Sequence, residues 1–371
     1  MGRELDIKKH IRISLVIGLI YLFYYFIFKR VSNGDDMIQH IEFIEMINDG
    51  RNVNFSHLGY HYLVIIISNL ININYEVSSC IVLSFFSTLF FWFCYKLFKS
   101  LSKKYFFCIS FVVIGTSIYN VFTGYIYLGQ FSNIAYHNPT FTVSRIIGII
   151  CTYYFFKYYK SEKTSVILLL SMLMGFQSFV KPNFSVVFFA ALFFLFVESC
   201  IHRSIIEIRN IILFTVPSVL ITFILIIRSV SGEGLGVELF KVANIFTNSS
   251  SLSLISIIFS VLGPLCVIIS IRKSNISLSR QCIVSICSSI IGIAIYLFLF
   301  ENGERFYHAN YAWCMSSGYS LLYFYSSIEY VTNYAFIKVK YRSVTNIVLL
   351  LHILSGIIYI LKLIYVGNFN I

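Results

Sequence analysis

The chain has 371 residues, of which 58% are hydrophobic, 18% aromatic and only 12% charged. Soluble domains carry about 25% charged residues, so the composition excludes an ordinary soluble globular protein. The net charge of +12 would suit nucleic acid, but Lys and Arg fall in short clusters between apolar segments, as in membrane proteins. We therefore expect contact with membrane lipid and no nucleic-acid partner.

Apolar runs of about 20 residues recur along the chain, which is the length needed to cross a hydrocarbon core of roughly 30 Å. They lack the alternation of membrane β-strands, so the sequence predicts an all-α polytopic integral membrane protein with one transmembrane domain, 1–371. In chain order the predicted segments are 11–28, 59–72, 77–95, 105–121, 141–157, 165–180, 183–200, 211–228, 253–271, 282–300, 310–328 and 344–365.

Basic clusters between these segments favour the cytoplasmic face. An odd number of crossings must separate the basic N-terminus from the cluster at 96–104, but two segments lie between them. The segment from 59 to 72 is short and begins near His57 and His61, so we expect it to enter from outside without fully crossing. The sequence thus predicts about eleven crossing helices and one partial helix. The N-terminus would be cytoplasmic and the C-terminus external, in a bacterial inner membrane.

The first external loop, 29–58, contains the paired carboxylates Asp35 and Asp36, followed by His40. One of two adjacent carboxylates can act as a general base when it is partly dehydrated. The alternative is that Asn-Gly-Asp-Asp only caps a helix. Apolar residues at roughly helical spacing predict one or two amphipathic helices on the membrane surface, namely Met37, Ile38, Ile41, Ile44 and Met46.

Three cations near the predicted external ends of helices are candidates for holding a phosphate or pyrophosphate: Arg145, Lys181 and Arg305. Cations within a membrane usually face an anion or a cavity. The alternative is that each side chain extends from a helix end to the lipid headgroups.

Further polar residues lie in the other external loops. His137 belongs to the loop 122–140, the loop 229–252 is polar and rich in Ser and Gly, and Glu301, Arg305 and His308 lie together in 301–309. The last group would bind an acceptor sugar or phosphate, or else pair internally along a helix. The sequence indicates no cofactor with certainty. His137 and His40 could bind a divalent metal with Asp35 or Asp36, although no metal-ligand spacing occurs.

The order of these features resembles the GT-C type of integral-membrane glycosyltransferase. The similarity covers about residues 10–200 and rests on short motifs. These are Gly34-Asp35-Asp36 with His40, His57-Leu58-Gly59-Tyr60-His61-Tyr62-Leu63, Tyr95-Lys96-Leu97-Phe98-Lys99 and Gly175-Phe176-Gln177-Ser178-Phe179-Val180-Lys181-Pro182. The motifs at 137–140 and 301–305 are also similar to multi-pass proteins of bacterial surface-polysaccharide loci.

The resemblance implies a donor sugar or oligosaccharide on a polyprenyl phosphate or pyrophosphate, and an acceptor that is a glycan or a lipid-linked sugar. Asp35 or Asp36 would deprotonate the acceptor hydroxyl for inverting transfer, and Arg145, Lys181 or Arg305 would stabilise the departing phosphate. A polymerase of O-antigen or capsule repeat units and a single-sugar transferase fit equally. A flippase or transporter is the alternative, although the sequence shows neither an inverted repeat nor an interrupted helix.

Overall fold

The computed structural model describes residues 2–32, 34–51, 58–101, 105–118, 135–136, 138–230, 235–241, 250–301 and 311–366. The regular structure in these ranges is helical except for strands β1 (Leu235–Val237) and β2 (Leu299–Glu301), which pair antiparallel. The helices are α1 (Gly2–Val31), α2 (Asp35–Asn48), α3 (Gly59–Ile71), α4 (Tyr75–Leu101), α5 (Tyr105–Val113), α6 (Pro139–Tyr158), α7 (Thr164–Val180), α8 (Asn183–Ile201), α9 (Ile205–Val230), α10 (Ser250–Lys273), α11 (Arg280–Phe298), α12 (Ala312–Asn333) and α13 (Val339–Val366).

Within the described residues, seven helices are long and apolar enough to cross a membrane: α1, α4, α8, α9, α10, α11 and α13. Two shorter apolar helices, α3 and α7, accompany them. Large apolar side chains such as Leu15, Leu19 and Leu22 are mostly exposed on the outside of the bundle, where lipid can solvate them. The protein is therefore an all-helical membrane protein, as the composition predicted.

Each of the twelve predicted segments contains a helix, but two differ in extent. The predicted segment 282–300 ends in strand, because Leu299 and Phe300 pair with β1 instead of extending α11. The predicted segment 105–121 is helical only as far as Val113, so α5 has nine residues and a length of about 14 Å. In the first external loop, one amphipathic helix is described, α2, which buries Met37 and Ile44.

The chain beyond α5 interrupts the helical pattern inside the bundle. The Thr116 amide donates to the His352 carbonyl of α13 at 3.2 Å, and the Ile118 amide donates to the Phe259 carbonyl of α10, also at 3.2 Å. Irregular backbone at membrane depth is tolerated where protein groups satisfy its amides in this way. Within the described residues 105–118, the predicted helix 105–121 thus gives way to non-helical chain after Val113.

Helix α12 is the central helix of the bundle, although its sequence is rich in serine and tyrosine. Every side chain from Ala312 to Ser327 is buried by neighbouring helices. Backbones approach closely where α12 meets α11, because a methyl group added at Gly318 would lie 2.7 Å from the Ser288 carbonyl oxygen. Small residues at a membrane helix interface allow this kind of contact.

Helix α3 meets the end of α7, and this contact brings the first external loop towards the centre of the bundle. A methyl group added at Gly59 would lie 3.0 Å from the Val180 backbone nitrogen, so glycine is needed for this close approach. Helix α2 packs on α3 and α4. The start of α2 therefore lies beside the turn between α7 and α8, which contains Lys181.

Candidate functional site

The candidate site begins at the first turn of α2. Gly34 is the N-cap residue, with φ −83° and ψ 149°, so Asp35 and Asp36 are the first two helical residues. Carboxylates in a first turn interact favourably with the helix dipole. The buried face of α2 contains Met37, His40 and Ile44, at the i, i+3, i+7 spacing of one helix face. Asp36 lies one helical turn before His40, at the N-terminal end of this face.

Asn138 connects the Asp36 carboxylate to α6. Its amide nitrogen donates to Asp36 Oδ2 at 3.0 Å, while its Oδ1 accepts the backbone N–H of Phe141 at 2.8 Å as the N-cap of α6. Because Oδ1 must accept from a backbone N–H, the orientation of the amide is fixed. Pro139, at the first position of α6, suits a helix start.

Lys181 supplies the positive charge of the site. It occupies the turn between α7 and α8 and is buried, with 3% of its surface exposed. Its Nζ donates to Thr140 Oγ1 at 3.2 Å and to Asn138 Oδ1 at 3.4 Å, and it lies 4.7 Å from the centre of the Trp313 ring. These oxygens and the aromatic face compensate an ammonium group that is costly to bury.

The backbone at Lys181 is held by side chains of neighbouring helices. Its carbonyl oxygen accepts from Gln177 Nε2 at 2.7 Å and from Ser144 Oγ at 3.1 Å. Gln177 in turn accepts from Ser185 Oγ at 2.5 Å. A fully connected buried network of this kind restricts the turn to one arrangement, so the ammonium is directed towards Asn138 and Asp36.

Burial by the surrounding protein raises the pKa of the Asp36 carboxyl to about 6, although the Lys181 charge and the Asn138 hydrogen bond both act to lower it. The side chain nevertheless keeps 35% of its surface accessible. Asp36 is therefore a carboxylate with a raised pKa and a partly accessible side chain. A general base has these two properties.

Two histidines extend inward from Asp36. His40 Nε2 lies 3.8 Å from Asp36 Oδ1, and His40 Nδ1 lies 2.9 Å from Nε2 of His61 on α3. Both rings are buried. A direct contact between two imidazole nitrogens requires one ring to donate and the other to accept. If neutral His40 donates from Nδ1 to His61, its Nε2 faces Asp36 as an acceptor. If His61 donates to His40 Nδ1 instead, His40 Nε2 faces Asp36 as a donor.

Arg145 lies in a different environment from Lys181. It is buried on α6, with its guanidinium carbon 5.1 Å from the centre of the Phe90 ring. Tyr24, Tyr136 and Tyr359 interact electrostatically with it. The side chain lies in an aromatic pocket between α1, α4 and α13, not at the lipid headgroups. The structure thus brings Asp36, His40 and Lys181 together and places Arg145 apart from them.

Several predicted site residues cannot be located in this cluster. His137, Arg305 and His308 lie outside the described residues. Only the backbone is described for Asp35, which begins α2, and for Glu301, which ends β2. No group of three potential metal ligands occurs among the described residues.

Sequence reasoning missed four residues of the cluster: His61 as the partner of His40, and Asn138, Thr140 and Trp313. A signal was present for Asn138, because an Asn-Pro pair before an apolar run is typical of a capped helix start. Trp313 is one of only two tryptophans in the chain. Nothing local in the sequence indicates that it lies over Lys181.

A second buried polar cluster surrounds His352. Its Nε2 accepts the Gly263 backbone N–H at 2.9 Å, so the ring is neutral with its proton on Nδ1, which faces the Thr116 carbonyl at 2.5 Å. Pro264 has no N–H and leaves the Ser260 carbonyl without its helical donor. The Tyr323 hydroxyl donates to that carbonyl at 2.7 Å. This cluster joins α10, α12, α13 and the chain after α5.

Comparison with known proteins gives no relative. No protein family, no curated protein and no solved structure matches this chain.

Proposed function

We propose that this protein is a membrane glycosyltransferase of the GT-C type that uses a polyprenyl-linked sugar or oligosaccharide donor. It would act in assembly of a surface polysaccharide such as O-antigen or capsule, and a polymerase of repeat units is included in the proposal. The observation that supports it is the accessible Asp36 carboxylate, with its pKa near 6, beside the buried Lys181 ammonium.

In the proposed reaction Asp36 removes the proton from an acceptor hydroxyl. The hydroxyl oxygen attacks the anomeric carbon of the donor, and the bond from that carbon to the phosphate oxygen breaks. The phosphate leaves with the bonding electron pair, and the configuration at the carbon is inverted. Lys181 stabilises the negative charge that develops on the departing phosphate, the kind of interaction that often supplies much of an enzyme's rate gain.

The histidine pair holds α2 against α3 beside the carboxylate, with His40 Nε2 3.8 Å from Asp36 Oδ1 and His40 Nδ1 2.9 Å from His61 Nε2. The proton that Asp36 takes up would leave to water from the accessible part of its side chain. Asp36 would then be ready for another acceptor.

We also infer eleven crossings with α3 as the partial helix, a cytoplasmic N-terminus and an external C-terminus in a bacterial inner membrane. The thirteen residues of α3 span about 20 Å, less than a hydrocarbon core. Asp36, Asn138, Lys181 and Trp313 all lie at ends of helices that this topology assigns to the outside. The interrupted stretch from α5 would complete one of the crossings.

A flippase or transporter of lipid-linked sugar is the second candidate. The observation that favours it is the non-helical chain at 114–118, where the Thr116 amide donates to the His352 carbonyl of α13 and the Ile118 amide to the Phe259 carbonyl of α10. Transporters often bind their substrates at interrupted helices near the midplane. In this case His352 would matter for activity and Asp36 would not.

The test is the length distribution of surface glycan in cells that lack this gene and express wild type, Asp36→Asn or Glu45→Gln. Glu45 is an exposed acid on the same helix, so Glu45→Gln is the matched control. We expect single repeat units, or one missing side-branch sugar, with Asp36→Asn, and normal glycan with Glu45→Gln. Membrane levels of each variant control for folding. Normal glycan with Asp36→Asn would overturn the general-base proposal.

A further inference from the structure

A crevice between α1, α4 and α5 opens towards the membrane, away from the candidate site. It has a volume of about 320 Å³, and its walls are almost entirely apolar. Val16 on one wall and Phe106 on another are 52% and 71% exposed, so lipid reaches the crevice directly. Six of the residues lining it are Arg12, Val16, Ile20, Trp92, Tyr95 and Phe106.

Basic and aromatic side chains are arranged at one end of this crevice. The rings of Trp92 and Tyr95 stack with their centres 5.3 Å apart. Lys96 Nζ lies 4.7 Å from the centre of the Trp92 ring, and Lys99 Nζ donates to the Tyr95 hydroxyl at 2.7 Å. Arg12 lines the crevice from α1. Arg12 thus lines this apolar space, and Lys96 and Lys99 each contact an aromatic residue that lines it.

We propose that this crevice is a binding site for one anionic phospholipid, with an acyl chain between α1 and α4 and the phosphate beside Lys96, Lys99 and Arg12. Charge complementarity favours an anionic headgroup over a zwitterionic one. Apart from Arg12 the walls are apolar or aromatic and suit an acyl chain, which a free phosphate ion lacks. A helix with side chains is about 10–12 Å wide and would fill a volume of about 320 Å³ with only about 3 Å of its length, so an acyl chain suits the crevice better than a partner helix.

The two tryptophans of the chain permit a direct test. Trp313→Phe leaves Trp92 as the single tryptophan, which can be excited selectively beyond the absorption band of the tyrosines, and lipids brominated on the acyl chain quench it on contact. The full chain is reconstituted in vesicles of phosphatidylcholine and phosphatidylglycerol, with either lipid brominated at equal mole fraction. We expect several-fold stronger quenching by brominated phosphatidylglycerol than by brominated phosphatidylcholine.

Variants then distinguish a lipid whose acyl chain is bound in the crevice from lipids attracted only by the positive charge of the surface. Lys96→Gln with Lys99→Gln should abolish the preference, and Val16→Phe, which fills the crevice and keeps the cations, should abolish it too. Lys157→Gln is the matched control: it removes a lysine that also lies over a tyrosine ring, on α6. Its removal should leave the preference unchanged.

Equal quenching by the two lipids in the single-tryptophan protein would overturn the proposal. A preference that survives Val16→Phe would also overturn it, because it would show headgroup attraction without an inserted chain. Native mass spectrometry of the wild-type chain gives an independent check if Trp313→Phe fails to fold. Phosphatidylglycerol should remain bound after detergent exchange, and it should be lost in the lysine double variant.

Discussion

Asn138 donates a hydrogen bond to Asp36 at 3.0 Å across 102 residues of sequence. The same side chain caps α6 through its oxygen, so the start of that helix and the acidic first turn of α2 are held by one amide. This bond stabilises the ionised carboxylate and therefore lowers its pKa.

Replacing Asn138 should move the protonation midpoint of Asp36. Asn138→Asp keeps an N-cap residue but replaces the donor with a second carboxylate, and like charges raise each other's pKa. We expect the midpoint to rise from about 6, measured by infrared titration of the protonated carboxyl band. Asn138→Ser, which keeps both a cap and a donor, is the control. A protonation midpoint of Asp36 that is lower in Asn138→Asp than in wild type would contradict the stabilising hydrogen bond from Asn138.

Stability should depend on pH through Asp36. Its pKa of about 6 in the folded protein lies above the ordinary value of 3.8, so the folded state binds more protons between these values. The free energy of unfolding should therefore decrease as pH rises from about 4 to 6. Thermal unfolding in detergent across this range should show a slope that Asp36→Asn reduces. An identical slope in both proteins would refute the elevated pKa.

On the proposed mechanism, Lys181→Met should slow glycan transfer strongly and leave the fold intact. Loss of one group that stabilises developing negative charge typically lowers turnover about 10²–10³-fold. Methionine retains most of the side-chain length for packing on Trp313, so we expect membrane levels close to wild type. Rates of glycan extension provide the measurement, with the exposed Lys160→Gln as control. Unchanged extension in Lys181→Met would exclude Lys181 from the reaction.

Glycines between α11 and α12 should be intolerant of a methyl group. Added to Gly318 or Gly292, it would lie 2.7 Å from the Ser288 carbonyl or 2.6 Å from the Cys314 carbonyl. We expect each alanine variant to lose about 1–3 kcal/mol of stability. Gly18 has open space around it, so Gly18→Ala should be neutral or slightly stabilising. Thermal unfolding of the three variants would compare them directly, and equal effects would contradict the close approach.

Pro264 and Tyr323 should be energetically coupled. Pro264→Ala restores a backbone N–H that can donate to the Ser260 carbonyl. This N–H then competes with the Tyr323 hydroxyl for the carbonyl oxygen. Tyr323→Phe should consequently cost less in the Pro264→Ala background, by roughly 1 kcal/mol. A double-mutant cycle of unfolding free energies measures this difference. If the two substitutions have additive effects on the unfolding free energy, the Tyr323 hydrogen bond does not depend on the missing N–H of Pro264.

Much of the helical architecture was predictable because a helix that crosses the hydrocarbon core needs about 20 consecutive apolar residues, a pattern that is visible in the local sequence. The position of α12 along the chain was predictable, but its place at the centre of the bundle was not. A helix buried among other helices can contain serines and tyrosines, whereas a helix that faces lipid must be apolar, and the sequence pattern alone does not say which surroundings α12 has. The break after Val113 depends on carbonyls of α10 and α13, which no local pattern near 113 reveals.

The candidate site was predictable to a similar extent. Asp36 and Lys181 are notable in sequence because charge is rare in this chain. Their connection through Asn138 was not predictable, because an amide gives no indication of a partner 102 residues away. The Trp313 ring over Lys181 depends on helices α8 and α12 meeting, a contact that apolar periodicity does not encode.

The contact between Lys181 and Trp313 also bears on the order of biosynthesis. Asp36, Asn138 and Lys181 leave the ribosome within the first half of the chain, whereas Trp313 arrives only with the penultimate described helix. A nascent chain that has inserted α1 to α8 therefore has the acid and the ammonium but lacks the aromatic face that covers the ammonium. Until α12 enters the bundle, Lys181 lacks its aromatic cover, so the site is completed only after α12 has been synthesised and inserted.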